Sequence, residues 1–221
     1  MSSQQEISFS QCVLQCGSNG RVDFSEKKTG KLLFYSSKPP QQLHTILIHA
    51  PITGHPVARL VLRQANILGV VYVLYAAAAT DNALVVFHYM MPSILPFNGS
   101  PKTILLPPRI ARIALPRSDT PRRDFEVAAA RCIRRGVALT DSSLQTVLHS
   151  RTPTKDGKEW TLELGGRGRV SSNKNIVMMH DDGKEVLHIG ARDSTVYHTD
   201  YDSRYMTPML SFAFALAQLD L

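Results

Sequence analysis

The sequence predicts a mainly β (α+β) protein in which an antiparallel sheet closes into a barrel around a buried C-terminal helix. Residues 210–221 (LSFAFALAQLDL) form a helix-length segment with almost no polar face. A helix that is apolar on all sides is buried inside a protein or a membrane. At about 1.5 Å per residue this segment is too short to cross a bilayer of roughly 30 Å, so we expect it inside the protein's own core. Most of the preceding chain has the pattern of strands. Such strands can form a closed β-barrel that buries the helix at its centre.

Twelve candidate strands precede this helix, and each is a short run rich in β-branched and aromatic residues that is bounded by turn residues. They are, in order, 11–15, 20–25, 32–36, 45–49, 57–63, 70–75, 83–90, 103–106, 160–164, 175–180, 185–190 and 196–199. The chain has 221 residues and is 43% hydrophobic, which is enough for one substantial core. We therefore expect one domain over residues 1–221, with the barrel over roughly 8–205 and the central helix over roughly 207–221.

Residues 122–135 break the strand pattern and predict a helix. Thr120 is a suitable cap, Pro121 suits a first helical turn, and Gly136 ends the segment. Apolar residues recur at helical spacing on one face, whereas five arginines make the other face basic. That basic face is either a solvated surface or a binding surface. A second short helix is expected over 141–149.

The net charge of +7 and the pI of about 9.5 predict an anionic partner, such as a phosphoinositide headgroup, an acidic membrane surface, nucleic acid or an acidic protein. The three cysteines, Cys12, Cys16 and Cys132, lack paired spacing, which favours reduced thiols in a cytoplasmic protein. Met1 is followed by polar residues, which argues against a secretory signal. The longest apolar stretch, 67–79, is too short to span a membrane. We therefore expect peripheral membrane contact and no transmembrane segment.

Motifs that would indicate catalysis are absent from the sequence. It has no GxSxG, GxxxxGK[ST] or HExxH pattern, and its eight histidines show no metal-ligand spacing. Residues 180–182 (HDD) are the nearest approach to a metal or acid–base cluster, but they lie on a predicted turn, where acidic residues are common. Residues 165–169 (GGRGR) suit an RNA-binding tract, a phosphate nest, or glycines that permit a bulge or a close backbone approach. We expect a protein that is not an enzyme and that has no metal site and no cofactor.

Several short motifs, taken in their order along the chain, resemble those of one known family. These motifs are 66–69 (NILG), 149–153 (HSRTP), 168–171 (GRVS), 174–175 (KN), 189–190 (IG), 200–201 (DY) and 211–220 (SFAFALAQLD). Each motif is weak alone, but their shared order and spacing cover most of the chain. Together they resemble the C-terminal domain of the tubby-like proteins, and the sequence is similar to a divergent member of that family.

The resemblance implies a closed barrel of about twelve antiparallel strands that is threaded by the C-terminal helix. It also implies a module that binds phosphatidylinositol 4,5-bisphosphate or a related anionic lipid, in the cytoplasm and peripherally at the plasma membrane. In many members of the family the domain is joined to an N-terminal adaptor segment and delivers membrane-protein cargo to a cilium or flagellum. Because few residues precede the predicted barrel, we expect that adaptor segment to be absent here.

The resemblance also locates an expected lipid site. An alignment on residues 66–69 puts Leu62 and Gln64 at the positions of a Lys-x-Arg pair in the family. Arg59 and Arg63 alternate with apolar neighbours on the same strand, roughly 13 Å apart at the usual strand rise. A shift of one residue in the register would bring Arg63 to the site.

Two further residues complete the expected phosphoinositide-binding set of Arg59, Arg63, Lys102 and His44. Lys102 follows Pro101 and matches a third basic position of the family, whereas His44 falls at the position of an asparagine. A lysine offers a point charge rather than a bidentate fork, which predicts weaker headgroup selectivity. For each of the four residues, a solvated surface side chain is the alternative interpretation.

Three functions from different classes are consistent with the sequence. The expected one is a peripheral membrane module that binds phosphoinositide and acts in the trafficking of membrane proteins. The second is a protein-interaction adaptor that kept the barrel and lost specific lipid recognition. The third is nucleic-acid binding through the basic helix 122–135 and the Gly-Arg stretch, and nucleic acid is the least expected partner. A scramblase-like relative is an alternative at the level of the fold alone.

Overall fold

A computed structural model describes residues 9–66, 69–78, 83–90, 110–116, 124–125, 145–156 and 159–220. Its elements are β1 Phe9–Cys16, β2 Val22–Glu26, β3 Leu32–Ser37, β4 Thr45–His49, β5 Pro56–Asn66, β6 Gly69–Ala76, β7 Ala83–Met90, β8 Ile110–Pro116, β9 Gln145–Ser150, β10 Thr154–Asp156, β11 Glu159–Thr161, β12 Ile176–Met179, β13 Glu185–Ala191, β14 Val196–Asp202 and α1 Pro208–Asp220.

Within these ranges, twelve strands close into a single antiparallel barrel. Their order around the wall is β1-β14-β13-β12-β9-β8-β7-β6-β5-β4-β3-β2, and β2 returns to β1. Strands β10 and β11 form a separate two-stranded sheet. Because closure pairs every barrel strand on both sides, none of the twelve is left as an exposed edge. The predicted closed barrel is confirmed.

The C-terminal segment forms helix α1. The Thr207 hydroxyl accepts a hydrogen bond from the Leu210 N–H at 3.3 Å, and Pro208 occupies the first turn, where a missing N–H costs nothing. Residues 211–218 are all buried, so no face of the helix meets solvent over this stretch. The predicted burial of the helix is confirmed. None of the helices in the described ranges has the length and apolarity needed to span a bilayer.

Helix α1 contacts opposite walls of the barrel through two phenylalanines. Phe212 stacks on Phe24 of β2 with ring centroids 5.1 Å apart, and Phe214 meets the edge of Phe87 on β7 at 5.5 Å. Four strands separate β2 from β7 one way round the barrel and six separate them the other way. Aromatic pairs of this kind add about 0.5–1.5 kcal/mol beyond the burial of their area. The helix therefore fills the centre of the barrel.

Alternation along the strands gives the wall an inner face and an outer face. On β5, Ala58 and Leu60 are fully buried against the inner core, whereas Val61 packs against a second apolar cluster outside the barrel. The buried members of this outer cluster come from β6, β7, β8 and a short helical stretch: Val71, Val73, Tyr75, Ala83, Val86, Ala114 and Phe125. At these residues the outer wall of β6–β8 is therefore apolar and buried.

Two predicted elements are wrong in part. The predicted helix over 141–149 is contradicted from Gln145 onward, because Gln145–Ser150 forms strand β9 between β8 and β12. Backbone pairing with two neighbouring strands overrides the local preference of this polar segment. The predicted strand over 160–164 is shorter than expected, since Glu159–Thr161 pairs only with β10, outside the barrel.

Two other predicted elements lie largely or wholly outside the described residues. The predicted strand over 103–106 is wholly outside them. Of the predicted basic helix over 122–135, the structure describes Asp124 and Phe125, which have helical backbone. Phe125 is fully buried in the outer cluster, as expected for a residue on the apolar face of that helix.

Candidate anion-binding site on strands β5 and β6

Arg59 and Arg63 converge on the side chain of Tyr75. Arg59 lies directly opposite Tyr75 in the β5–β6 register, and its guanidinium carbon is 4.6 Å from the centre of the tyrosine ring. The Arg63 guanidinium carbon is 5.1 Å from the same ring centre. Nε and Nη2 of Arg63 donate hydrogen bonds to the Tyr75 hydroxyl at 3.0 and 2.6 Å. One aromatic side chain therefore orients two cations on the outer wall of the barrel.

A β-bulge sets the direction of Arg63. Leu62 pairs with Tyr72, and Gln64 pairs with Val71, so Arg63 lies between two consecutive partners and has no partner of its own on β6. A bulged residue bends its strand and re-aims its side chain. Strand β5 therefore has an irregularity of one residue at Arg63.

The two guanidinium groups form a concentrated positive charge. They lie no more than about 10 Å apart, because each is close to the same ring centre. In the part of the chain that the structure describes, Arg63 forms no ion pair with a carboxylate. A guanidinium has five N–H donors, and Tyr75 occupies two of those on Arg63. The exposed side chain of Arg63 therefore retains donors for an external anion.

His44 lies beside the bulge, but the structure does not bring its side chain to the arginines. Its carbonyl accepts a hydrogen bond from the Leu62 N–H at 2.8 Å, which places the His44 backbone next to β5. Its imidazole is exposed and forms no hydrogen bond or ion pair within the described ranges. The preceding residue, Leu43, is 85% exposed. A large apolar side chain therefore projects into solvent next to the strand that carries the two arginines.

The predicted set is thus only partly assembled by the described residues. Lys102 lies outside them, so its position relative to the arginines is not described. Tyr75 is the site residue that sequence reasoning missed. The signal for it was the alternation along β6, where Val71, Val73 and Tyr75 share the outer face. A cross-strand pairing of Tyr75 with Arg59 would have followed from a correct β5–β6 register.

The polar residues at 180–182 form hydrogen bonds that stabilise a backbone turn. The Gly183 N–H donates to the His180 carbonyl at 2.9 Å, and the Lys184 N–H donates to Oδ1 of Asp182 at 3.0 Å. Hydrogen bonds from Lys184, with smaller contributions from His180, hold the pKa of Asp182 below its ordinary value. Among the residues that the structure describes, no group of three or more His, Cys, Asp and Glu side chains is arranged to hold a metal ion.

Comparisons with known proteins add little to this description. No protein-family model matches the chain, and no curated protein is significantly similar to it. A solved structure of a protein from Arabidopsis thaliana is similar, with a TM-score of 0.46 and 11% sequence identity. The match covers 96% of this chain and 93% of that one.

Proposed function

We propose that this protein is a non-enzymatic module that binds anionic lipid through the β5–β6 wall and so associates peripherally with a membrane. The observation that carries the proposal is the convergence of Arg59 and Arg63 on Tyr75. Arginine forks bind phosphate oxygens in a bidentate geometry, and two oriented forks suit a headgroup that carries more than one phosphate.

Two further features support a membrane as the source of the anion. Leu43 is 85% exposed beside β5, and an exposed apolar side chain next to cations suits insertion between lipid headgroups. The net charge of +7 favours approach to an anionic surface. Each arginine near such a surface contributes about 1 kcal/mol to the binding free energy.

The finer part of the proposal depends on the motif order that resembles the tubby-like family. On that basis we propose phosphatidylinositol 4,5-bisphosphate as the preferred lipid and the cytoplasmic face of the plasma membrane as the location. A role in the trafficking of membrane-protein cargo, including cargo of a cilium or flagellum, is part of the same proposal.

Vesicle cosedimentation tests the lipid-binding proposal. The vesicles are phosphatidylcholine, with and without phosphatidylinositol 4,5-bisphosphate. Wild-type protein should sediment only with the anionic vesicles, and binding should fall as salt rises. Arg63→Glu should weaken binding by roughly tenfold or more. Lys31→Glu is the matched control, because it makes the same change in net charge at an exposed residue of the β2–β3 turn.

The outcomes separate lipid binding from the adaptor function. Equal loss in Arg63→Glu and Lys31→Glu would indicate general charge attraction without a site, and it would contradict the proposal. Wild-type protein that stays in solution at physiological salt, yet captures a protein partner, would favour the adaptor. Arg63→Lys retains the charge but not the fork, so it should bind at an intermediate level.

A further inference from the structure

A short loop crosses the outer face of β13, away from the β5–β6 wall. Residues 164–167 form a tight turn in which both central glycines have positive φ, 56° and 77°, and the last N–H donates to the first carbonyl at 3.1 Å. Gly168 then passes over Gly190 so closely that a Cβ on Gly190 would stand 3.0 Å from the Gly168 backbone. The glycines of 165–169 therefore permit a close backbone approach, and two successive positive φ angles differ from the alternating pattern of a phosphate nest.

This loop, together with β1 and β14, borders a pocket of about 480 Å³ that is open to solvent. Small-molecule sites usually measure roughly 300–1,000 Å³, so the pocket can admit a small ligand. Its lining is strongly basic. The ionisable side chains in it are Lys27, Arg167, Arg169, Arg192, His198 and Asp200.

Three of the four cations in this pocket form no ion pair within the described chain. Nε of Arg167 donates to the Asp200 carboxylate at 2.7 Å, which neutralises one of the four cations. Lys27 donates at 3.2 Å to a neutral side-chain amide. Arg169 and Arg192 form no ion pair with any carboxylate in the described ranges. Three cations therefore line the pocket without forming an ion pair within the described ranges.

His198 adds no further charge to the pocket. Nη1 of Arg192 lies 3.2 Å from Nε2 of His198, and a guanidinium can only donate, so Nε2 is the acceptor and the ring is neutral. Burial lowers the pKa of His198 from its ordinary value, and the charges of Lys27 and Arg192 lower it further. The positive charges of Lys27 and Arg192 therefore disfavour protonation of His198.

The pocket and the Arg59–Arg63 pair lie on different sides of the barrel. Three strands separate β5 from β1 one way round the wall, and five separate β6 from β14 the other way. A flat bilayer that contacts β5 and β6 does not also reach β1 and β14. A ligand of this pocket is therefore more accessible from solution than from the same membrane.

We propose that this pocket binds a soluble, multiply phosphorylated small molecule through Lys27, Arg169 and Arg192. A phosphate monoester carries roughly −1.5 to −2 charges near neutral pH, so two phosphate groups balance three cations. The two arginines supply bidentate donors, and the lysine supplies a mobile point charge. This site is independent of the proposed lipid site, because the two share no residue.

Calorimetric titration with inorganic pyrophosphate tests the pocket. Wild-type protein should bind, and the double variant Lys27→Ala/Arg192→Ala should bind roughly tenfold more weakly or worse, since each lost charged hydrogen bond is costly. Lys28→Ala is the control, because Lys28 is the exposed neighbour of Lys27, does not line the pocket, and loses one positive charge as the second variant does. Arg169→Ala provides a second variant, and thermal denaturation checks that each variant is folded.

Vesicles of phosphatidylcholine and phosphatidylinositol 4,5-bisphosphate distinguish a soluble source from a lipid source. The double variant should bind these vesicles as wild type does, and Arg63→Glu should bind pyrophosphate as wild type does. If vesicle binding depends on Lys27 and Arg192, the pocket binds a lipid headgroup, and the proposal of a soluble ligand is wrong. Absence of pyrophosphate binding at low salt, or equal loss in Lys28→Ala, would overturn the pocket itself. A negative result for one proposed site does not change the result that is expected in the assay of the other site.

Discussion

Arg63 donates two hydrogen bonds to the hydroxyl of Tyr75, a residue that is only 5% exposed and belongs to the apolar cluster on the outer wall. An exposed cation is therefore held by a buried and well-packed partner. Because the tyrosine is already fixed by its neighbours, Arg63 loses less conformational freedom on binding an anion than an unrestrained surface arginine would. This relationship pre-organises Arg63 for the anion binding that we propose at the β5–β6 wall.

Removal of the Tyr75 hydroxyl should weaken lipid binding without altering charge. Tyr75→Phe keeps the ring beside both arginines but removes the acceptor that orients Arg63. Loss of this hydrogen-bonded orientation, worth roughly 0.5–1.5 kcal/mol, corresponds to an affinity for anionic vesicles that is about twofold to twelvefold lower. Tyr35→Phe is the matched control, since Tyr35 also stacks with an arginine, Arg21, at 4.2 Å. If Tyr75→Phe binds as tightly as wild type while Arg63→Glu does not, the hydroxyl has no positioning role.

Truncation of a helix side chain should destabilise the whole barrel. Phe214 is fully buried and contacts Phe87 and Tyr89, with ring centroids at 5.5 and 5.9 Å. Phe214→Ala should lower the free energy of unfolding by about 3–5 kcal/mol, because it leaves a cavity at the centre of the core. Ile52→Ala, at a side chain 95% exposed, should change it by less than about 0.5 kcal/mol. Urea denaturation that gives similar small values for both would contradict the buried helix.

The two described cysteines should differ in reactivity. Cys12 is 1% exposed, and burial, aided by the charges of Glu26 and Asp200, raises its pKa to about 12. Burial also raises the pKa of Cys16, which is only half-buried. Since the thiolate is the reactive form, iodoacetamide should modify Cys16 slowly and Cys12 only after denaturation. Peptide mapping by mass spectrometry measures both rates, and rapid modification of Cys12 in the folded protein would show that β1 is not buried as described.

Acid should weaken the anchor at the end of helix α1. The Tyr72 hydroxyl donates to Asp220 at 2.7 Å, and Lys38 forms an ion pair with the same carboxylate. Burial alone would raise the pKa of Asp220, but the hydrogen bonds from Lys38 and Tyr72 hold it below the ordinary 3.8. The resulting stabilisation is complete above the ordinary pKa and disappears as the pH falls through the lower pKa of the folded state.

Asp220→Asn isolates this anchor. At neutral pH the variant should be less stable by about 1 kcal/mol, the upper end for a partly exposed ion pair, and the difference from wild type should vanish in strong acid. Glu163→Gln is the control, because Glu163 is exposed and forms no ion pair or hydrogen bond within the described residues. Denaturation curves across the acid range measure the effect. An unchanged difference at neutral and acidic pH would show that the ion pair contributes nothing.

Helix α1 and strands β4–β7 were predictable from the sequence because their local signals agree with their environment. The helix is apolar on all sides, and the predicted strands 45–49 and 83–90 match β4 and β7 residue for residue. Strands β8 and β9 were not predicted. Ile110–Pro116 contains Arg112 and ends in proline, and Gln145–Ser150 is polar, so their strand conformation depends on pairing with each other and with β7 and β12.

The candidate sites also combine features that the sequence predicts with features that depend on strand pairing. The spacing of Arg59 and Arg63 predicts a shared strand face, but the bulge at Arg63 depends on the register against β6, which no local pattern encodes. The β1–β14 pocket was not predicted at all. Lys27, Arg169 and Arg192 come from three separate segments, and only barrel closure and the loop over β13 bring them together.

Quenching of tryptophan fluorescence by brominated lipid tests the proposed membrane contact of the β5–β6 wall most directly. Leu43→Trp and Ile52→Trp place a reporter at exposed positions on either side of β4, and wild type gives the background from Trp160. With vesicles that contain phosphatidylinositol 4,5-bisphosphate, Leu43→Trp should be quenched and Ile52→Trp should not, and Arg63→Glu should abolish the quenching. Absence of quenching at position 43, or equal quenching at both positions, would contradict binding through the β5–β6 wall.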